Sequence, residues 1–189
     1  MTEPLVPARP RQRVAPGTHE TELRRLALQE ATHAGCDPLS VQALIWLFRA
    51  YNAAVNAQSE QLRPLGLSPS AFNVLMALHN SEGHVLEPCQ LAERLLVSRP
   101  SVTGLLHTLQ AKQLITRRPH DEDRRRVIVG LTPKGLALLE SHFDTHYREQ
   151  NALFAELDAG ERAELVSLLR RVRGAVPADL LEPSARRPS

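Results

Sequence analysis

The chain has 189 residues, 42 % apolar and 23 % charged, which suits one folded domain with decorated ends rather than two full-sized cores. With four Phe, two Tyr and one Trp, the core must be built mainly from Leu, Val, Ile and Ala, favouring helix packed on helix over a β-sandwich. A formal net charge of +2 is too small to mark a nucleic-acid binder by bulk electrostatics, so the distribution of charge has to decide.

In chain order, residues 1–19 carry Pro4, Pro7, Pro10 and Pro16, with Arg9, Arg11 and Arg13 against Glu3, and are expected to form a disordered, solubilising tail. A second such tail is expected over 177–189, with Pro177, Pro183 and Pro188. The amino terminus lacks the apolar stretch of a signal peptide. The longest apolar run, LIWLF at 44–48, falls far short of the roughly 20 residues of a membrane span, so no membrane partner is expected. Cys36 and Cys89 stand apart without CxxC spacing, which excludes a disulfide framework and a cysteine zinc site and leaves a reducing cytoplasm as the expected location.

An extra helix is expected over 20–36, with Leu23, Leu26 and Ala27. Beyond it, five prolines mark helix starts: Asp37-Pro38, Ser68-Pro69, Glu87-Pro88, Ser98-Arg99-Pro100 and Thr132-Pro133, four of them behind a good N-cap side chain. Asp158 and Glu161 have capping-box spacing for one more. Helical periodicity follows each start. Val41, Leu44, Ile45, Phe48, Tyr51, Val55 and Leu62 predict a helix to about residue 63; Phe72, Leu75 and Met76 a shorter one; Leu91 and Leu95 a third. Val102, Leu105, Leu106 and Leu109 form the next stripe. After it come Leu136, Leu139, Phe143, Tyr147, Gln150 and Phe154, and lastly Leu165, Leu168, Leu169 and Val172.

One segment breaks this pattern. Residues 114–118 (LITRR) and 127–131 (VIVGL) are short, rich in β-branched residues and separated by PHDEDRRR, the signature of a β-hairpin with a long charged tip. The expected fold is therefore mainly α with a small β-hairpin, a winged helix-turn-helix set in a helical scaffold.

Charge is segregated along the chain. Between Arg94 and Lys134 nine basic residues face three acidic ones, a local net of +6, while the remainder, with fourteen basic and eighteen acidic residues, is at −4. Such polarity is expected when one face meets phosphate. If Val102, Leu105, Leu106 and Leu109 face a core, then Arg99, Ser101, Thr103, Gly104 and His107 are left outside. Small side chains there admit a close approach to DNA. Ser98 and the helix's first N–H groups can meet a phosphate, and Arg99 or His107 can reach guanine edges. A solvated helix face has the same composition. At the hairpin tip, Arg124, Arg125 and Arg126 repel one another unless solvated or paired with an anion, and an arginine so placed suits a narrow minor groove. Asp123 is close enough in sequence to orient the Arg125 guanidinium.

Residues 39–176 resemble the multiple antibiotic resistance regulator (MarR) family of transcription factors. The wing pattern Asp-x-Arg-x-x-x-Val-x-Leu-Thr is present as Asp123, Arg125, Val129, Leu131 and Thr132, followed by Pro133-Lys134-Gly135, and residues 91–118 are similar to the family's scaffold and recognition helices. The resemblance implies a domain over 38–176, with a DNA-binding lobe at about 66–132 and dimerisation helices at about 38–63 and 133–176. It implies a homodimeric, ligand-responsive repressor on double-stranded DNA carrying a pseudo-palindromic operator. On it, Ser98, Arg99, Ser101, Thr103 and His107 fall on the recognition helix, Asp123 orients and Arg125 enters the minor groove; with them Arg124 and Arg126 of the charged tip are expected to bind DNA. Gly104 departs from the arginine frequent in the family at that place.

The resemblance also implies a small phenolic or anionic effector, with Trp46, Arg49, Phe72, Asn73 and Met76 as candidate contacts, although the same residues suit a plain core. The likeness to a urate-responsive branch with an additional amino-terminal helix is partial, because Asn73 and Gly104 replace an acid and an arginine. No cofactor is expected. Neither Cys36, near Asp37, nor Cys89, after Glu87, has the electropositive setting of a redox sensor. His142 and His146, at i and i+4 around Asp144, have a spacing that can place two imidazoles on one metal ion and resemble a pair in a zinc-responsive branch. With no matching ligand in residues 70–73, they are expected to be a surface pair, and no metal site is assigned. The other histidines look scattered.

No glycine-rich phosphate loop, nucleophile elbow or HExxH is present, so no catalytic residues are assigned. A winged helix serving only as a protein-binding module is the rival reading, against which three consecutive wing arginines weigh.

Overall fold

The computed structural model describes residues 35, 37–120 and 123–177; the expected tail and helix at 1–36, residue 35 apart and with Cys36, and all but the first residue of the tail at 177–189 lie outside them. The chain divides into two units, residues 1–53 and 54–189. Six α-helices are described: α1 (Pro38–Leu62), α2 (Pro69–His79), α3 (Pro88–Leu95), α4 (Arg99–Ala111), α5 (Pro133–Leu153) and α6 (Ala159–Gly174). Three strands accompany them, β1 (Val85–Leu86), β2 (Ile115–Pro119) and β3 (Val127–Leu131). Among the described residues no helix is long and apolar enough to cross a membrane.

Helix starts fall where the capping residues place them. Ser68, Ser98, Thr132 and Asp158 each accept the N–H three residues on, and Asp158 with Glu161 completes a capping box. Asp37 accepts from the N–H groups of Leu39 and Ser40. Glu87, the one proline-flanked start without a favoured N-cap residue, forms a capping box with Gln90.

In the first unit, the opening turns of α1 leave Leu39, Leu44, Trp46, Leu47, Phe48 and Tyr51 exposed. The second unit holds the core. Leu62, Phe72, Leu75, Leu78, Leu91, Leu106, Leu109, Ile115, Val129 and Leu139 are all buried there, joining α2, α3 and α4 to the sheet and to one face of α5. The sheet order is β1-β3-β2, antiparallel throughout, with Val85 opposite Gly130 and Leu86 opposite Val129. Strand β1 is two residues long and has too little periodicity to be read from sequence. The turn between α3 and α4 pivots on Leu96 in the left-handed region (φ 54°), and Val97 N–H returns to the Ala92 carbonyl at 3.1 Å, as in a Schellman ending.

Helix α5 departs from the expected register. Gly135, Leu139, His142 and His146 turn inward, whereas Tyr147 and Phe154 are exposed. His142 and His146, expected as a surface pair, are 8 % and 4 % exposed. The reason is packing: the fully buried Phe72 ring lies 5.7 Å from the His142 ring and 4.9 Å from that of His146, so the imidazoles serve as core filler. His79 and His84 are not scattered either; their rings stack at 5.4 Å, and His84 Nδ1 lies 2.9 Å from the His79 carbonyl oxygen. Val166, Leu168, Leu169 and Val172 of α6 remain exposed.

Candidate nucleic-acid interface

Helix α4 has two chemically distinct faces. Val102, Leu106 and Leu109 are buried and Leu105 is half-buried, while Arg99, Ser101, Thr103, Gly104 and His107 are exposed. At its start the Ser98 and Ser101 hydroxyls pair at 2.8 Å. Thr103 donates its hydroxyl to the Arg99 carbonyl at 3.1 Å, which leaves the hydroxyl oxygen able to accept. A Cβ added at Gly104 would meet nothing within 4 Å, so packing within the chain does not demand glycine there.

The wing is built by the β2–β3 ladder, in which Arg117 pairs with Val129, Arg118 with Ile128 and Pro119 with Val127. Its tip closes through His120 N–H to the Arg126 carbonyl (3.0 Å) and Arg126 N–H to the Asp123 carbonyl (2.9 Å). Asp123 Oδ1 accepts the backbone N–H of Arg125 at 2.9 Å. Expected to orient the Arg125 guanidinium, this carboxylate instead fixes the main chain that carries Arg125. Arg124 and Arg125 are exposed, and neither has an ion pair among the described residues. Behind the tip, Gln110, Arg117, Arg118, Pro119, Arg124 and Val127 line an open basic hollow of about 310 Å³.

Arg126 behaves differently. Its guanidinium grips Glu87 in a two-pronged ion pair, Nε to Oε2 at 3.1 Å and Nη2 to Oε1. Arg126 holds the Glu87 carboxyl below the usual carboxylate range. Thirty-nine residues separate the partners, and sequence reasoning missed the pair because nothing local announces it.

The candidate effector contacts are distributed over two helices. On α1, Trp46 is exposed, with the Arg49 guanidinium carbon 5.2 Å from its ring centroid. On α2, Phe72 is fully buried, Met76 is half-buried and Asn73 is exposed. Among the described residues no group of three or more His, Cys, Asp or Glu could hold a metal ion. Cys89 is exposed, its Sγ 3.9 Å from Glu87 Oε2.

Comparison with known proteins gives a consistent answer. Residues 65–126, which span α2 to the wing tip, match the MarR family model. The chain is 28 % identical over 151 residues to the transcriptional repressor YetL of Bacillus subtilis, covering 80 % of this chain and 90 % of that protein. It is 28 % identical, with a TM-score of 0.64, to Bordetella bronchiseptica BpsR, whose DNA binding is regulated by 6-hydroxynicotinic acid, over 69 % of this chain and 92 % of that one. A cysteine variant of Escherichia coli MarR, solved with operator DNA, is 28 % identical with a TM-score of 0.63, over 67 % of this chain and 90 % of that one.

Proposed function

We propose that this chain, whose residues 65–126 match the MarR family model, is a winged helix-turn-helix transcriptional repressor of that family, acting as a homodimer on a pseudo-palindromic operator and released by a small phenolic or anionic effector. The observation that carries this reading is the pairing of an exposed α4 face, Arg99, Ser101, Thr103, Gly104 and His107, with a wing tip whose Arg124 and Arg125 project without acidic partners among the described residues. Helix α4 enters the major groove amino end first. The Ser98 and Ser101 hydroxyls meet backbone phosphate, and Arg99 and His107 meet base edges. Arg125 enters the flanking minor groove, its main chain held by Asp123, and Arg124 meets the phosphates beside it.

The exposed apolar residues of α1 and α6 support dimerisation, since a monomer would leave them in water. Trp46, Arg49, Phe72, Asn73 and Met76 are the effector contacts to test. Binding of an effector-sized molecule stabilises the native state by mass action, so a thermal-shift screen of phenolic acids and related anions identifies its class. The wing and the segregated basic charge favour a cytoplasmic DNA-binding role over a protein-binding module.

Selection from random double-stranded DNA tests the reading. An inverted repeat with half-sites about one helical turn apart is expected. Arg99→Ala should relax preference at one position of each half-site by roughly 1 to 3 kcal/mol, the worth of a bidentate guanine contact; an unchanged motif would remove Arg99 from base reading. Arg125→Ala should weaken binding and reduce the slope of log K against log salt by about one, as for one lost phosphate-type contact. An unchanged affinity and slope would contradict the wing assignment.

A further inference from the structure

The three wing arginines do not share one task. Strand β1 pairs with β3 through Val85–Gly130 and Leu86–Val129, and there the main-chain ladder ends. Glu87 follows immediately, and Arg126 stands just before β3, so their ion pair continues the β1–β3 connection by side chains past its last rung. Both guanidinium contacts close on one carboxylate, a fork geometry that fixes orientation as well as distance. Glu87 is also held from its own side. Its carboxylate caps α3, and its backbone N–H donates to Gln90 Oε1 at 2.8 Å. Its side chain is 14 % exposed against 48 % for Arg126. The anchor is thus half-buried, and the more exposed arginine reaches to it from the wing.

We propose that Glu87 and Arg126 form a strut that ties the wing to the first helix of the helix-turn-helix and sets the attitude at which Arg124 and Arg125 are presented, Arg126 being a positioning residue and not a DNA contact. The inference rests on the reading of the wing as a DNA contact. The pairing also neutralises Glu87. Removing Arg126 alone therefore frees the wing and bares a carboxylate at the edge of the basic surface, whereas removing both charges does only the former. The two substitutions must be non-additive in a definite sense.

A double-mutant cycle in full-length protein, read as affinity for the selected inverted repeat across a salt series, tests this. Glu87→Gln keeps the side-chain oxygen that caps α3, and Arg126 is on the surface, so both variants retain the fold; melting curves check it. Arg126→Gln is expected to weaken binding about tenfold in the wild-type background and less than about threefold in Glu87→Gln, with the salt slope unchanged in the latter. The strut is overturned if Arg126→Gln costs the same in both backgrounds and lowers the slope by about one in each, the behaviour of a direct phosphate contact. Arg125→Ala is the control. If it leaves binding intact, the wing reading itself fails, an outcome distinct from failure of the strut.

Discussion

Gly135→Ala is expected to destabilise the protein by about 3 kcal/mol or more, lowering its melting temperature by roughly 6 to 12 °C. A Cβ built at Gly135 would lie 2.2 Å from the Leu114 carbonyl oxygen, 3.1 Å from its carbon and 3.0 Å from Leu131 Cδ1. The first two are backbone atoms, which cannot rotate away. Nor can the helix start slide. Thr132 N–H donates to that same Leu114 carbonyl at 3.1 Å, and the Thr132 hydroxyl both accepts Gly135 N–H at 2.9 Å and donates to the Gln113 carbonyl at 2.8 Å. Lys134 Nζ adds a bond to the Lys112 carbonyl at 2.9 Å. The first turn of α5 is thereby clamped to the chain entering β2, and only a residue without a side chain fits the clamp. Gly104→Ala is the contrasting control. With open space at its Cβ and a helix-interior position, it should be neutral or stabilising by up to about 1 kcal/mol in thermal unfolding. A Gly135→Ala protein melting with the wild type would refute the clamp.

Acidification is the second large effect, and it follows from the histidines of α5. Burial lowers the pKa of His142, and burial together with the neighbouring His142 lowers that of His146. Among the described residues neither His142 Nε2 nor His146 Nδ1 has a hydrogen-bond partner, and the surroundings include the Phe72 ring and, for His146, the Tyr147 ring at 5.4 Å. The unfolded chain binds protons at about pH 6.5, whereas the folded state resists them until lower pH. The stability they contribute is therefore whole above about pH 6.5, falls as pH drops through that value, and is fully lost below the lowered folded values. The slope of the fall follows the number of protons that the unfolded chain binds in excess of the folded one. Melting temperatures measured from pH 7.5 to 5 should decline, and the decline should flatten when His142 and His146 are both replaced by leucine, a swap that suits their apolar setting. An equally steep decline in that variant would exclude the pair as its source.

Sequence carried the helix starts because N-caps and prolines act locally: Ser68, Ser98, Thr132 and the Asp158–Glu161 box each announce themselves within four residues. The wing was legible for the same reason, its β-branched strands and charged tip being contiguous. What sequence could not supply was non-local. Periodicity placed α5 and, in Leu139 and Phe143, part of its inner face, but not Gly135, His142 and His146 in place of Tyr147 and Phe154, because a histidine in water looks the same in sequence as one against Phe72. The Glu87–Arg126 pair was hidden by its separation, and Gly135 by the fact that its obstacle is a carbonyl twenty-one residues earlier in the chain.

The reading of the site is tested most directly by the affinity of the unmodified protein for its selected inverted repeat, measured by fluorescence anisotropy between 50 and 200 mM salt beside a scrambled duplex of equal length. A pair of α4 helices and wings meeting six or more phosphates should lose about 10³ in affinity across that range and bind the repeat at least about 10³-fold more tightly than the scramble. Equal affinity for the two duplexes, or affinity indifferent to salt, would contradict it.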